Sequence, residues 1–379
     1  MQNFVFQNPT RIVFGQGTIP QLRNLVPTDV PVLLLFGGGS IHQNGVYEQV
    51  SGSLAKHQIH EFGGITPNPL YETCMEALEV VRREKIEFLL SVGGGSVLDA
   101  AKFIAAAACF EDGDPWRILS DGAKVHDALP LGAVLTLPAT GSEANGNSVI
   151  SRKSTQEKLP FSSEKVYPVF SILDPKTTFT LPPKQVRNGV IDAFVHVVEQ
   201  YATYDTQAPV QDRFAEGVLQ TLVEVGKVTL KEPENYQARA AFMWSATMAL
   251  HGLIGAGVAQ DWSSHEIGHE LTAFYGVDHA ESLAVVLPGV WQAQLETKRA
   301  KLTQMGDRVF GVRGPEAAIA ATEAFFASLE MPLRLGEYGI DAEDAVAKVT
   351  TRFEQRGSRL GERRDLTPSR VADILRARA

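Results

Sequence analysis

The residues best suited to chemistry lie in the second half of the chain, and they are acids and histidines. Asp192 and His196 bracket the helix-forming run Asp192-Ala193-Phe194-Val195-His196. Residues at i and i+4 share one helix face, so this carboxylate and imidazole can point at one ion. His265, His269 and His279 follow in an apolar neighbourhood. Several neutral imidazoles with one carboxylate suit a borderline divalent ion such as Zn²⁺ or Fe²⁺. Spacing alone leaves His269 and His279 as equal candidates for the last place in such a set. An isolated Asp–His hydrogen bond, or a surface histidine cluster, would explain one group but not both.

His265-Glu266-Ile267-Gly268-His269 also matches HExxH, in which both histidines hold zinc and the glutamate is the general base. That reading makes the chain a zinc metallohydrolase. It leaves the upstream Asp/His pair and the glycine-rich turns of the first half without work. A non-catalytic nucleotide-binding module is a third reading, which explains the turns but not the histidines.

Those turns are Gly37-Gly38-Gly39-Ser40 and Gly93-Gly94-Gly95-Ser96, each following an apolar run. Glycine lets a backbone approach a bulky anion, and free N–H groups at a helix start favour a phosphate. Ser96 can cap the helix that the second turn opens, or donate to a phosphate. Neither turn is the GxGxxG fingerprint, and each alone is equally a tight strand-to-helix connection. At the first tip, Gly38-Gly39-Ser40, there is no carboxylate to bind a ribose 2′-hydroxyl, which favours NADP(H) over NAD(H). Thr136-Leu137-Pro138-Ala139-Thr140-Gly141-Ser142-Glu143 also follows a strand, and its hydroxyls suit a nucleotide ribose or phosphate, or simply a capped turn.

The elements that must position these groups differ between the halves. Val32–Phe36, Phe88–Val92, Leu131–Leu137 and Val169–Leu173 are short apolar runs of the kind that form buried parallel strands. Helical patterns at Tyr71–Glu84 and Val97–Ala108 lie between them, giving βαβ logic. Past Leu181-Pro182-Pro183 the β-branched runs stop. Helices are predicted over Gln185–Tyr204, Val210–Leu230, Tyr236–Ile254, Ser263–Phe274, Pro315–Leu329 and Thr367–Ala377. The expectation is an α/β nucleotide-binding domain with a Rossmann-like parallel sheet over 1–180, then an all-α metal-binding and catalytic domain over 181–379.

The 379 residues carry a net charge of −9, with 44% hydrophobic and 21% charged residues. This is a globular balance, and an acidic chain without a basic block is a poor partner for nucleic acid or an anionic membrane. The apolar runs are too short to span a bilayer. Cys74 and Cys109 have no metal-like spacing and cannot build a disulfide framework. With no leader pattern at the N-terminus, the expected location is cytoplasmic.

The segments FGGGS, EFGGITPNP, SVGGGSVLDAAKFIA, TLPATGSE, LDPKTTFTLPPKQVRNGVIDAFVHVVEQY and HEIGHELTAFYGVDHAESLAVVLP carry a resemblance that runs over the whole chain. The sequence resembles the iron-containing (group III) alcohol dehydrogenases, within them the butanol dehydrogenase branch and its NADPH-dependent aldehyde reductases. The resemblance implies a homodimer that reduces small aldehydes to alcohols with one divalent ion and NADP. It implies Asp192, His196, His265 and His279 as metal ligands, with His269 outside the set and close to the proton step. It implies cofactor contacts at Gly38, Ser40, Gly94, Gly95, Ser96, Asp99, Thr140 and Ser142. Lys158 falls near the nicotinamide, and Thr180 and Leu181 at the nucleotide-packing edge. Ile41-His42-Gln43 replaces the basic residues that follow the first turn in similar proteins.

Overall fold

The computed structural model describes residues 1–379. The chain packs as two units. An α/β unit comprises Gln7–Pro182 and Pro233–Met243. A helical unit comprises Met1–Phe6, Pro183–Glu232 and Trp244–Ala379.

In chain order the strands of the α/β unit are β1 (Arg11–Phe14), β2 (Pro31–Phe36), β3 (Gln58–Phe62), β4 (Phe88–Gly94), β5 (Leu131–Leu137), β6 (Asn147–Arg152), β7 (Glu157–Ser162) and β8 (Phe170–Leu173). Six of them form one sheet in the order β1-β8-β5-β4-β2-β3, parallel at every junction. Strands β6 and β7 form a separate antiparallel hairpin. The helices are α1 (Leu22–Leu25), α2 (Val46–Ser53), α3 (Tyr71–Arg83), α4 (Gly95–Ala108) and α5 (Arg117–Ser120). Helix α3 buries Cys74, Ala77, Leu78 and Val81, an i, i+3, i+4, i+7 stripe. Helix α4 is buried along almost its whole length, as its run of alanines requires.

Strand order reverses between β2 and β4: the chain moves outward from β2 to β3, then returns to β4 and on to β5 and β8. In open parallel sheets the crevice at the carboxyl ends beside such a switch is where ligands bind. Both glycine-rich turns sit at those two strand ends.

The helical unit contains α6 (Pro183–Tyr201), α7 (Pro209–Lys231), the last turns of α8 (Tyr236–Ala249), α9 (Ser263–Tyr275), α10 (His279–Ala293), α11 (Leu295–Met305), α12 (Pro315–Ser328), α13 (Ala342–Arg356) and α14 (Pro368–Ala377). Proline opens α7, α12 and α14, where its missing N–H has no helical partner to lose. Helix α6 is buried at every residue from Gly189 to Tyr201 and packs on α7 and α10; α10 also packs on α9. Three helices thereby bring their polar residues to one place.

The α/β-then-helical class holds, with differences in detail. The predicted helix Tyr236–Ile254 stops at Ala249, ahead of a glycine-rich turn in which Gly252 and Gly257 have positive φ. The predicted helix to Tyr204 ends at Tyr201. Thr367 is the N-cap of α14, its side chain accepting from the Arg370 N–H, and lies outside the helix.

Candidate functional site

In the helical unit Asp192 and His196 stand one turn apart on α6. His265 lies in the first turn of α9, and His279 is the first residue of α10. One ligand atom from each of the four lies within 4.8 Å of every other. His196 Nε2 is 3.8 Å and His279 Nε2 is 3.6 Å from Asp192 Oδ1. These spacings exceed a hydrogen bond. They lie at or slightly beyond the spacing of atoms that share an ion: bonds of about 2.0–2.2 Å in a tetrahedral arrangement put ligand atoms roughly 3.3–3.6 Å apart.

Asp192 Oδ1 is buried and makes no hydrogen bond, an arrangement that is costly unless a cation faces it. The Nδ1–H of His265 is engaged by Glu199 Oε2, while Glu199 Oε1 accepts from the Ser264 N–H at 2.7 Å. That bond fixes the tautomer in which His265 Nε2 carries a lone pair for a metal. Burial pushes the Glu199 carboxyl well up, and nearby Asp261 adds to the rise; the Ser264 N–H hydrogen bond and His196 oppose it. The donor set of three imidazoles and one carboxylate fits a divalent ion.

His269 is buried beside the cluster, its ring centroid 6.3 Å from that of His265 and 5.3 Å from that of His279. It is not one of the four converging residues. The HExxH reading requires His265 and His269 on one ion; here His265 converges instead with Asp192, His196 and His279. Glu266 lines a cavity with Gln260, Trp262, residues 357–361 and Arg364, and is not one of the four converging residues. Burial first, then Glu199 and Asp261, push the Glu266 carboxyl up to about 7.

The candidate cofactor residues lie in the α/β unit. At the end of β2 the turn reaches a short 3₁₀ segment, Ser40–His42, through Gly39, whose φ of 93° is a left-handed conformation that favours glycine. A Cβ on Gly38 would meet nothing within 4 Å, so this tip has room for a close-lying ligand. Asn44 reaches from the same loop to Thr180 Oγ1 at 3.4 Å, and the Leu181 N–H donates to Thr178 at 3.2 Å.

The second turn is closed. A Cβ on Gly94 would lie 2.9 Å from Leu137 Cβ, and one on Gly95 would lie 2.4 Å from Thr140 Oγ1. These glycines are needed because the turn after β5 packs directly against the start of α4. Gly94 is the N-cap and no side chain caps the helix, so Ser96 does not take the capping role that its position suggests.

Ser142 and Asp99 meet. Ser142 Oγ donates to Asp99 Oδ1 at 2.8 Å, and the Val149 N–H donates to Asp99 Oδ2 at 3.0 Å. Beneath them Lys102 is wholly buried, and its Nζ donates to Ser142 Oγ at 2.7 Å, Asn145 Oδ1 at 3.1 Å and the Asn147 carbonyl at 2.8 Å. Burial lowers the Lys102 ammonium to about 8 against the pull of Asp99 and Glu143. Lys158, buried on β7, donates to Asn68 Oδ1 at 2.8 Å. Gly94, Gly95, Ser96, Asp99, Thr140 and Ser142 thus surround one helix start, while Gly38, Gly39 and Ser40 occupy the neighbouring strand end.

Sequence reasoning overlooked Glu199 and Lys102. Each is three residues beyond a singled-out residue on the same helix, His196 and Asp99, so the i+3 position was the available signal.

Similarity to known proteins extends over nearly the whole chain. The family model described as iron-containing alcohol dehydrogenase matches residues 9–175, and that of the C-terminal part of the Fe-containing alcohol dehydrogenase family matches residues 186–379. The chain belongs to the iron-containing alcohol dehydrogenase family. It is 54% identical to the NADPH-dependent aldehyde reductase YqhD of Escherichia coli, over 97% of each chain. It is 44% identical to NADP-dependent alcohol dehydrogenase 3 of Entamoeba histolytica, over 99% of this chain and 98% of that one. The crystal structure of E. coli YqhD superposes with a TM-score of 0.98 at 52% identity, over 100% of this chain and 99% of that one. A butanol dehydrogenase structure from Thermotoga maritima superposes with a TM-score of 0.94 at 38% identity, with the same coverage. No helix of this chain is long and apolar enough to cross a membrane.

Proposed function

We propose that the chain is a metal-dependent reductase of small aldehydes that uses NADPH: aldehyde, NADPH and a proton give primary alcohol and NADP⁺. The observation that carries this reading is the convergence of Asp192, His196, His265 and His279, with a buried Asp192 oxygen that no hydrogen bond satisfies, in a member of this family. When bound, the ion would polarise the carbonyl oxygen as a Lewis acid and the nicotinamide would supply the reducing equivalent. Zn²⁺ and Fe²⁺ both suit the donor set.

The chain's own residues do the rest. Asp192, His196, His265 and His279 hold the ion, with Glu199 fixing His265. Gly38, Gly39, Ser40, Gly94, Gly95 and Ser96 present backbone and hydroxyl donors to the dinucleotide phosphates. Asp99, Thr140 and Ser142 form the pre-ordered rim of the nicotinamide half, Lys158 lies toward its ribose, and Thr180 with Leu181 closes the edge. The tip Gly38-Gly39-Ser40 carries no carboxylate, so a 2′-phosphate meets Ser40 and no opposing charge. His269 passes the proton to the product oxygen. We further propose a cytoplasmic homodimer: both cysteines are free, and Phe4, Val5 and Phe6 are apolar and exposed near the N-terminus.

The deciding experiment measures butanal reduction with NADPH and with NADH, before and after chelation, then after adding back Zn²⁺ or anaerobic Fe²⁺. NADPH-driven turnover that is lost on chelation and returns with metal is expected. Absence of turnover in every metal-loaded state overturns the proposal.

A further inference from the structure

A cavity of about 380 Å³ in the helical unit adjoins the histidine cluster, with Gln260, Trp262, Glu266, Ser358, Arg359 and Arg364 in its wall. Trp262 links the two, lining the cavity and standing beside the cluster. Its ring centroid is 5.2 Å from that of His265, edge-on at 77°, and 6.3 Å from that of His196. Its Nε1–H donates to Gln260 Oε1 at 3.0 Å, which holds the indole in place.

The opposite wall is rigid. Leu360 and Leu366 exchange backbone hydrogen bonds of 3.0 and 3.2 Å, closing the intervening residues into a tight loop. Glu362 of this loop is paired at 3.1 Å with the buried Lys298, and Asp365 accepts from Gln294 at 3.1 Å and Arg370 at 3.0 Å. Arg364 sits in this loop with φ of 52°, a left-handed conformation that a residue with a Cβ rarely adopts. That conformation belongs to the turn, in which the Arg364 N–H donates to the Gly361 carbonyl at 3.0 Å.

The neighbouring arginines are committed elsewhere. Arg352 and Arg356 pair with Glu270, Arg370 with Asp365, and Arg363 lies over the Tyr204 ring. Arg359 and Arg364 form no salt bridge or side-chain hydrogen bond, and both line the cavity. Two arginines and one acid, Glu266, line the cavity, so its lining is net cationic.

We infer that this cavity receives the far end of the substrate, and that Arg359 and Arg364 select aldehydes whose other end is a carboxylate. The inference rests on the aldehyde reductase reading. A guanidinium offers a carboxylate paired, planar N–H donors, and it does so here beside a cluster that would hold the carbonyl. Both arginines reach solvent, so the selectivity is moderate and falls as salt rises.

The test compares kcat/KM for matched pairs: succinic semialdehyde against butanal, and glutaric semialdehyde against pentanal. In the metal-loaded enzyme the carboxylated member of at least one pair is expected to exceed its alkyl partner about tenfold at low salt. Arg359→Gln and Arg364→Gln together should collapse that ratio to about one, chiefly through KM. Alkyl aldehydes preferred in both pairs, or a ratio that the double substitution leaves intact, would overturn the inference. Succinate titrated calorimetrically into the full-length protein gives a second readout that needs no turnover. Saturable binding that the double variant loses supports the pocket even if no aldehyde is reduced, whereas no binding to the parent chain counts against it. Inactivity toward all four aldehydes, with succinate still bound, would instead refute the parent reading.

Discussion

Glu199 on α6 accepts the Nδ1–H of His265 on α9, so one helix that contributes two candidate ligands also orients a third. The carboxylate is bound in turn by the Ser264 N–H, which stops it from rotating away. Replacing such an outer partner of a metal-binding histidine typically costs 10–100-fold in metal affinity. Glu199→Gln is therefore expected to weaken Zn²⁺ binding by about that factor, measured by competition with a chromophoric chelator. Unchanged affinity would mean that Glu199 serves packing alone.

The Lys102 network makes a different prediction. Lys102 has no exposed surface and ties Ser142, Asn145 and the Asn147 carbonyl to α4, while Ser142 holds Asp99. Removing one partner from a buried charged network is expected to cost about 3–5 kcal/mol. Lys102→Met should lose stability of that order in urea titrations and raise the Kd for NADPH, followed by fluorescence. Lys102→Arg adds bulk to a closed site and should not rescue either loss. A variant with full stability and full NADPH affinity would remove Lys102 from the cofactor argument.

The two glycine turns should respond oppositely to alanine. A Cβ at Gly95 would stand 2.4 Å from Thr140 Oγ1, and overpacking of this kind costs about 1–3 kcal/mol. A Cβ at Gly38 meets nothing of the chain within 4 Å. Gly38→Ala should therefore leave the melting temperature nearly unchanged and weaken NADPH binding, because the methyl group occupies the ligand's space. Equal melting losses in both variants would contradict the open-tip, closed-tip distinction.

What the sequence revealed follows burial. Strands β2, β4, β5 and β8 are interior to the sheet, so both faces demand apolar residues and the runs stand out. Strands β1 and β3 are its edges; their half-exposed patterns, RIVF and QIHEF, are too short and mixed to notice. The β6–β7 hairpin was hidden by Pro160 and by a turn that includes Gln156 at φ of 52°. Helix α10 was missed because Pro288 and Gly289 interrupt a run that tertiary packing nonetheless keeps helical: a Cβ at Gly289 would lie only 3.0 Å from Arg378 Cγ. Without that helix His279 had no element to place it, which is why spacing could not choose between His269 and His279. Trp262 and the arginines of the Leu360–Leu366 loop gave no periodic signal, since their proximity depends on long-range packing.

That choice is directly measurable. His279 lies 3.6 Å from Asp192 Oδ1 and belongs to the converging four, whereas His269 stands one ring away from His279, at 5.3 Å between centroids. A site that loses one of four ligands binds its ion poorly, so His279→Ala should emerge from purification nearly metal-free by elemental analysis and without reductase turnover. His269→Ala should keep its ion and lose kcat, by about 10²–10⁴-fold if it carries the proton step alone, with KM little altered. The pH–rate profile separates proton transfer from positioning: a profile that loses one limb in His269→Gln marks a titrating donor, and a uniformly lowered profile marks a structural role. The hydrolase reading predicts the reverse pattern, with His269→Ala metal-free and His279→Ala still loaded. Metal content of the two alanine variants alone therefore decides between an oxidoreductase ligand set and an HExxH set.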